Sequence, residues 1–298
     1  MISSKKKRMN AWTILLFILP ALLVYVVYVV YPIITTFNYS LFDWSGLSAD
    51  TTFVGLGNYI SLYMDRIFWL ALQNNVLIVM ASVLLQIPLG LIMALILSSS
   101  IKGRRFFNVM FFLPYLMSTV AIGLLWIYMF DPVNGPVNQI LMWLGFSPVS
   151  WLADPAIAIY AVLFVIIWQF SPFYMILFRA AIVGIPDELY EAADIDGANS
   201  KNKFFYVTLP TLIPTIVTSS ILAIVGSLKA FDIFYIMTGG GPGHATEILG
   251  TYMYKQGFIN FSMGYASAIA FTMFVIAFVC VVIIQTLEYL RRKRGILS

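Results

Sequence analysis

EAADIDGANSKNKFFYVTLP, residues 191–210, is a polar stretch set between two long apolar runs. Just upstream, Pro186 is placed to open a helix whose first turn holds Asp187 and Glu188, favourable at the positive helix end. Leu189, Ala192 and Ala193 supply it with a short apolar face. Gly197 permits the left-handed turn that ends it, Ala198 to Tyr206 can resume as helix, and Pro210 fits the first turn of the following run. The stretch reads as helix, turn, helix along a membrane surface. It is either a solvated amphipathic loop, common between spans, or a docking element gripped through its apolar face.

Outward from this island the chain is apolar. Of 298 residues 61% are hydrophobic and 10% charged, and the mean hydropathy is +0.92. A soluble domain of this length carries far more charge, so the bilayer is the expected solvent. Runs of roughly 20 apolar residues mark spans, and six are predicted, at about 12–34, 70–98, 106–130, 156–180, 208–232 and 264–290. Pro114, Pro210 and Pro214 blur the starts of the third and fifth.

Basic residues of short loops collect on the cytoplasmic side. Lys5, Lys6, Lys7 and Arg8 precede the first run, and Lys102, Arg104 and Arg105 follow the second. Arg179, Lys201 and Lys203 flank the fourth, and Arg291, Arg292, Lys293 and Arg294 follow the sixth. Fourteen of the 17 basic residues thus share one side, leaving Arg66, Lys229 and Lys255 elsewhere. Both termini and the 191–210 island are predicted to be cytoplasmic. The net charge of +4 then reflects topology, not nucleic-acid binding. The first run, Ala11 to Ile34, lacks a small-residue cleavage pattern and reads as an uncleaved span. Cys280, the single cysteine, reads as a small apolar residue of the last span.

The outer loops hold turn formers, with Gly46, Gly55 and Gly57 in the first. The 131–154 loop carries a short apolar stretch, Ile140 to Leu144, predicted as a small interfacial helix helped by Trp143 and Trp151. The expected organisation is a tail, first span and outer loop over 1–69, a core over 70–290 containing the cytoplasmic loop 184–207, and a basic tail over 291–298.

PDELYEAADIDGAN (186–199) followed by TLPTLIP (208–214) resembles the EAA loop of permease subunits in ATP-binding-cassette (ABC) importers. LPALLVYVVYVVYP (19–32), FVGLGNY (53–59) and TGGGPGHATE (238–247) resemble the maltose-type carbohydrate branch, and all lie in the right order relative to the spans. Val207 departs conservatively from the isoleucine frequent there, and the large outer domain of some maltose permeases is missing. The resemblance implies an all-α polytopic membrane protein of type I importer fold with six transmembrane helices, in a bacterial plasma membrane. It also implies a second homologous permease, ATPase subunits and an extracellular solute-binding protein as partners. Glu191, Ala192, Ala193, Asp194 and Gly197 would carry the contact with the ATPase. No G-x-x-x-x-G-K-[ST] occurs, so ATP and Mg are expected on that partner and the chain itself is not read as an enzyme.

Ile166, Gln169, Phe170 and Phe173 of the fourth span share a face at i, i+3, i+4 and i+7, around Trp168 and Pro172. Aligned on the family, that face and Ala223, Gly226, Ser227 and Ala230 of the fifth span would contact sugar. Aromatic rings suit C–H faces, and Gln169 and Ser227 suit hydroxyls; plain helix packing by small residues is the alternative. Lys229 and Asp232, three apart, either pair near the outer mouth or reach water. Gln73, Asn74, Asn75 and Gln86 are expected to join helices. His244 and Glu247 offer too few ligands for a metal.

The residues therefore predict half of the translocation path of an ABC importer for a sugar, most simply an oligosaccharide. A glycerol-phosphate or other polyol remains open, with Lys229 the one basic candidate for a phosphate. An ion-coupled secondary carrier needs ionisable groups inside spans, and only Lys229, Asp232 and Glu288, all near span ends, offer them. No His, Cys or carboxylate constellation supports a membrane enzyme.

Overall fold

In hydrocarbon every backbone N–H and C=O must find a partner within the protein, so a long apolar run is forced into helix. The computed structural model describes residues 11–48, 50–99 and 101–293. Lys5, Lys6, Lys7, Arg8 and Arg294 of the basic tails lie outside the described residues.

In chain order the elements are α1 (Leu15–Tyr39), a two-residue hairpin of β1 (Phe42–Asp43) and β2 (Thr52–Phe53), α2 (Gly57–Met64), α3 (Arg66–Ser98), α4 (Arg104–Leu116) and α5 (Thr119–Met129). Then follow α6 (Pro136–Trp143), α7 (Ala158–Val183), α8 (Asp187–Ile195), α9 (Ser200–Leu228), α10 (Asp232–Met237), α11 (Leu249–Tyr254) and α12 (Met263–Lys293). Among the described residues five helices are long and apolar enough to cross a membrane, or six if the bent pair α4–α5 is one span. The chain forms two compact units: residues up to Leu62 with Gln256–Thr272, and Tyr63–Lys255 with the chain from Met273.

In the first unit, Asn58 and Tyr59 of the FVGLGNY stretch pin the end of α1. The Asn58 amide donates to the carbonyls of Ser40 (2.8 Å) and Phe42 (2.9 Å), and the Tyr59 and Ser40 hydroxyls lie 2.6 Å apart. Burial pushes the Tyr59 hydroxyl pKa above its ordinary value, outweighing the opposing Ser40 hydrogen bond. In its most apolar stretch α1 buries no residue, as a span with lipid around it requires.

α7 is the centre of the second unit, with 61% of its most apolar window buried against 28% for α3 and for α9. Val162, Val165, Ile122 and Phe234 anchor one core cluster, and Phe178, Met175, Leu97 and Leu212 another. α3 approaches α7 most tightly at Gly90, where an added Cβ would sit 2.6 Å from the Tyr174 Cβ and 2.9 Å from the Ser171 carbonyl oxygen. Beside it the Gln86 amide donates to the Ile166 carbonyl at 3.1 Å, an interhelical bond of the predicted kind.

The third predicted span, 106–130, is not one helix. It breaks after Leu116 and bends by 98°. Pro114 removes a helical N–H just before the break, and Met117 and Ser118 then turn extended, with ψ of 148° and 132°. The fifth span, predicted at 208–232, begins earlier and ends sooner. Asn199 starts α9 by accepting the Asn202 N–H at 2.9 Å, and its Ser227 carbonyl accepts the Asn75 amide of α3 (2.9 Å) where the helix stops.

A recurring device lets α1, α3 and α9 continue through proline. Wide π turns at Val26–Val30, Ser82–Gln86 and Phe204–Thr208 each end two residues before a proline: Pro32, Pro88 and Pro210. A proline ring clashes with the carbonyl four residues earlier. That residue is Tyr28, Leu84 or Tyr206, the middle of each turn, and the widened turn relieves the clash. Pro210 therefore lies inside a continuous helix and does not open one. The small helix predicted near 140–144 is α6, with Trp143 85% exposed.

Candidate functional site

Two features stand out, both in the second unit: an exposed short helix and a cavity. α8 buries none of its residues. Pro186 enters it in an extended conformation, and Asp187 and Glu188 occupy its first turn. Its end is closed by the Gly197 N–H on the Asp194 carbonyl (3.0 Å) and the Ala198 N–H on the Ala193 carbonyl (2.9 Å). Gly197 adopts φ of +74°, a region costly for any residue with a Cβ. Glu191, Ala192, Asp194 and Gly197 are exposed and Ala193 half-buried. Leu189 and Ile195 also stand in the open, Ile195 at 87% exposure. The Lys203 ammonium meets the Asp194 carboxylate at 2.5 Å, and the Tyr190 and Thr208 hydroxyls lie 2.9 Å apart. α8 is thus tied back to the start of α9 while its outer face has no cover among the described residues.

The cavity measures about 340 Å³, at the small end of ligand pockets. Its walls come from α3 (Ser82), the α4–α5 break (Tyr115, Thr119), α7 (Ile166, Phe170, Phe173), the end of α9 (Gly226, Ser227) and the segment Lys229–Phe234. Tyr115 is the hub of its aromatic side, its ring 5.7 Å from that of Phe173 and 6.3 Å from that of Phe170. The Ser227 hydroxyl donates to Ser82 Oγ at 3.1 Å.

Of the residues singled out in the sequence, the structure gathers Ile166, Phe170, Phe173, Ala223, Gly226, Ser227 and Ala230 on this lining. Gln169 stands behind it, 1% exposed, donating from Nε2 to Thr119 Oγ1 at 3.3 Å while its Oε1 lacks a protein partner. Tyr115, Thr119 and Ser82 were not singled out. The available signal was the interruption PYLMST at 114–119 within an otherwise apolar run. Lys229 and Asp232 are both exposed on the lining and form no salt bridge with each other.

Beyond α10, the TGGGPGHATE stretch is organised by Glu247, whose side chain is fully buried. Its carboxylate receives the Lys255 ammonium at 2.5 Å and the Thr251 hydroxyl at 2.6 Å, and lies 3.0 Å from His244 Nδ1. Asn74 and Asn75 of α3 hold the same loop by its backbone. Asn74 donates to the Ala245 (3.0 Å) and Glu247 (2.8 Å) carbonyls, and Asn75 accepts the Leu249 N–H (2.8 Å). These amides join helix to loop as well as helix to helix.

The family described as "Binding-protein-dependent transport system inner membrane component" matches residues 86–293. The chain is 36% identical to the trehalose/maltose transport system permease protein MalF of Thermococcus litoralis over 98% of this chain and 97% of that one. It is 34% identical to the sulfoquinovosyl glycerol transport system permease protein SmoG of Agrobacterium fabrum, over 98% and 96%. Among solved structures, a chain of a bacterial ABC transporter that imports the acidic polysaccharide alginate superposes with a TM-score of 0.81 at 23% identity, covering 93% of this chain and 95% of that one. That likeness shows a shared fold.

Proposed function

This chain belongs to the inner membrane components of binding-protein-dependent transport systems, and we propose that it forms half of the translocation path for a sugar, most simply an oligosaccharide. The observation that carries the sugar reading is the cavity itself, where Tyr115, Phe170 and Phe173 offer ring faces to C–H groups while Thr119 and Ser227 offer hydroxyls. The other half of the path belongs to a second, homologous permease. An extracellular binding protein delivers the solute, and ATP with Mg is bound and hydrolysed on ATPase subunits. The loop 184–207 faces the cytoplasm of a bacterial cell, where α8 is the element the ATPase grips. Glu191 and Asp194 provide polar anchors, Ala192 and Ala193 allow close approach, and Gly197 sets the angle. Movement of α8 passes to α9 through Asp194–Lys203 and Tyr190–Thr208, and α9 ends at the cavity.

Two relatives are named for carbohydrate solutes, one for trehalose and maltose and the other for sulfoquinovosyl glycerol. The test is uptake by the complete importer, with its binding protein, in liposomes loaded with ATP and Mg. Radiolabelled maltose-class oligosaccharides should accumulate and glycerol phosphate should not. Accumulation of glycerol phosphate alone would replace the sugar reading.

A further inference from the structure

The cavity carries a pair of charges that the proposed path does not yet use. Lys229 lies in the break between α9 and α10, and Asp232 is the first residue of α10. Both line the cavity, both are exposed, and neither has an ion-pair partner among the described residues. Among the described residues they are the only formally charged side chains of the lining, and together they sum to zero. An ammonium and a carboxylate that do not neutralise each other directly are both free for a solute, donating to and accepting from hydroxyl groups. For a solute with a net charge, the attraction of one is offset by the repulsion of the other, so the lining does not compensate the dehydration of that charge.

Resting on the reading of this cavity as the solute path, we infer that Lys229 and Asp232 are its charge-balancing pair, specificity-determining residues that favour uncharged polyhydroxylated solutes and exclude acidic sugars and phosphates. Removing either charge alone gives the lining a net sign. Asp232→Asn makes it attractive to anions, and Lys229→Gln makes it attractive to cations.

The lining supplies its own reporter position. Gly226 is exposed on it, and an added Cβ there meets nothing within 4 Å. Gly226→Cys in a Cys280→Ser background gives this chain one thiol, on the cavity lining, and the importer is assembled with cysteine-free partner subunits in membrane vesicles. Its modification rate is measured with two methanethiosulfonate reagents, one bearing a sulfonate and one a quaternary ammonium. The rate ratio, sulfonate over ammonium, should rise roughly threefold to tenfold with Asp232→Asn and fall by a similar factor with Lys229→Gln. The double variant should return near the starting ratio. A ratio unmoved by either single variant, shifts of one sign for both, or a thiol that neither reagent reaches would overturn the inference. The path reading is scored separately, by uptake after modification. Opposite shifts with uptake undiminished would retain the charge balance and discard the path.

Discussion

Asp194, near the end of α8, and Lys203, in the first turn of α9, meet at 2.5 Å across the turn made by Gly197. The contact links an exposed helix to the helix that reaches the cavity. Asp194 is 62% exposed and Lys203 26%, so the ion pair holds direction more than it holds the fold; exposed pairs contribute about 0.2–1 kcal/mol. Replacing Asp194 by Ala should therefore leave the melting temperature of the detergent-solubilised chain almost unchanged. A large drop would give the pair a structural weight that its exposure denies.

Gly197→Pro tests the turn. Proline holds φ near −65° and cannot adopt the observed +74°. Because α8 buries nothing, the loss stays local. The variant should reach the membrane in normal amount and fail in uptake. Quantitative immunoblotting beside an uptake assay checks both halves, and normal uptake would count against α8 as the coupling element.

Gln169 holds Thr119 from behind the lining. Gln169→Ala should lower uptake while co-purification of the ATPase persists, and Thr119→Val should reproduce that phenotype. Loss of assembly in Gln169→Ala would mark the amide as a packing group instead.

Glu247 is buried against Lys255. Deleting one member of such a pair leaves an uncompensated charge and costs about 3–5 kcal/mol. Lys255→Met should lower thermal stability markedly, and adding Glu247→Gln should restore much of it. Equal stability of the single and double variants would show that the ion pair is not what holds this loop.

Gly90 is a steric test of the α3–α7 contact. With Tyr174 2.6 Å from the added methyl, Gly90→Ala forces the helices apart, at a cost of about 1–3 kcal/mol. Reduced thermostability in detergent is expected; an unchanged value would mean the helices separate freely.

The apolar runs were enough to place the long helices, because hydrocarbon leaves the backbone no other solution. Their interruptions were harder to read. Pro114 foreshadowed trouble in the third run, yet a proline can sit inside a helix, as Pro210 does. What differs is the neighbourhood: a π turn precedes Pro210, whereas extended Met117 and Ser118 follow Pro114. Periodicity grouped Gln169 with Ile166, Phe170 and Phe173, but at about 100° per residue Gln169 is one flank of that face and Phe170 the other. Gln169 turns to Thr119 while its three neighbours line the cavity. Tyr115, Thr119 and Ser82 belong to helices that only tertiary packing brings together. The α8 turn was legible because Gly197 and the acidic first turn act locally.

Co-purification decides whether this chain works as one subunit of an ATP-driven importer. The tagged chain is drawn from membranes in mild detergent, its companions are identified by mass spectrometry, and vesicles of the same preparation are assayed for ATP-dependent uptake. A second permease bearing an EAA-type loop and an ATPase subunit should be recovered, and accumulation should stop without ATP. A chain recovered alone that still concentrates solute in ATP-free vesicles would contradict importer function and indicate an ion-coupled carrier.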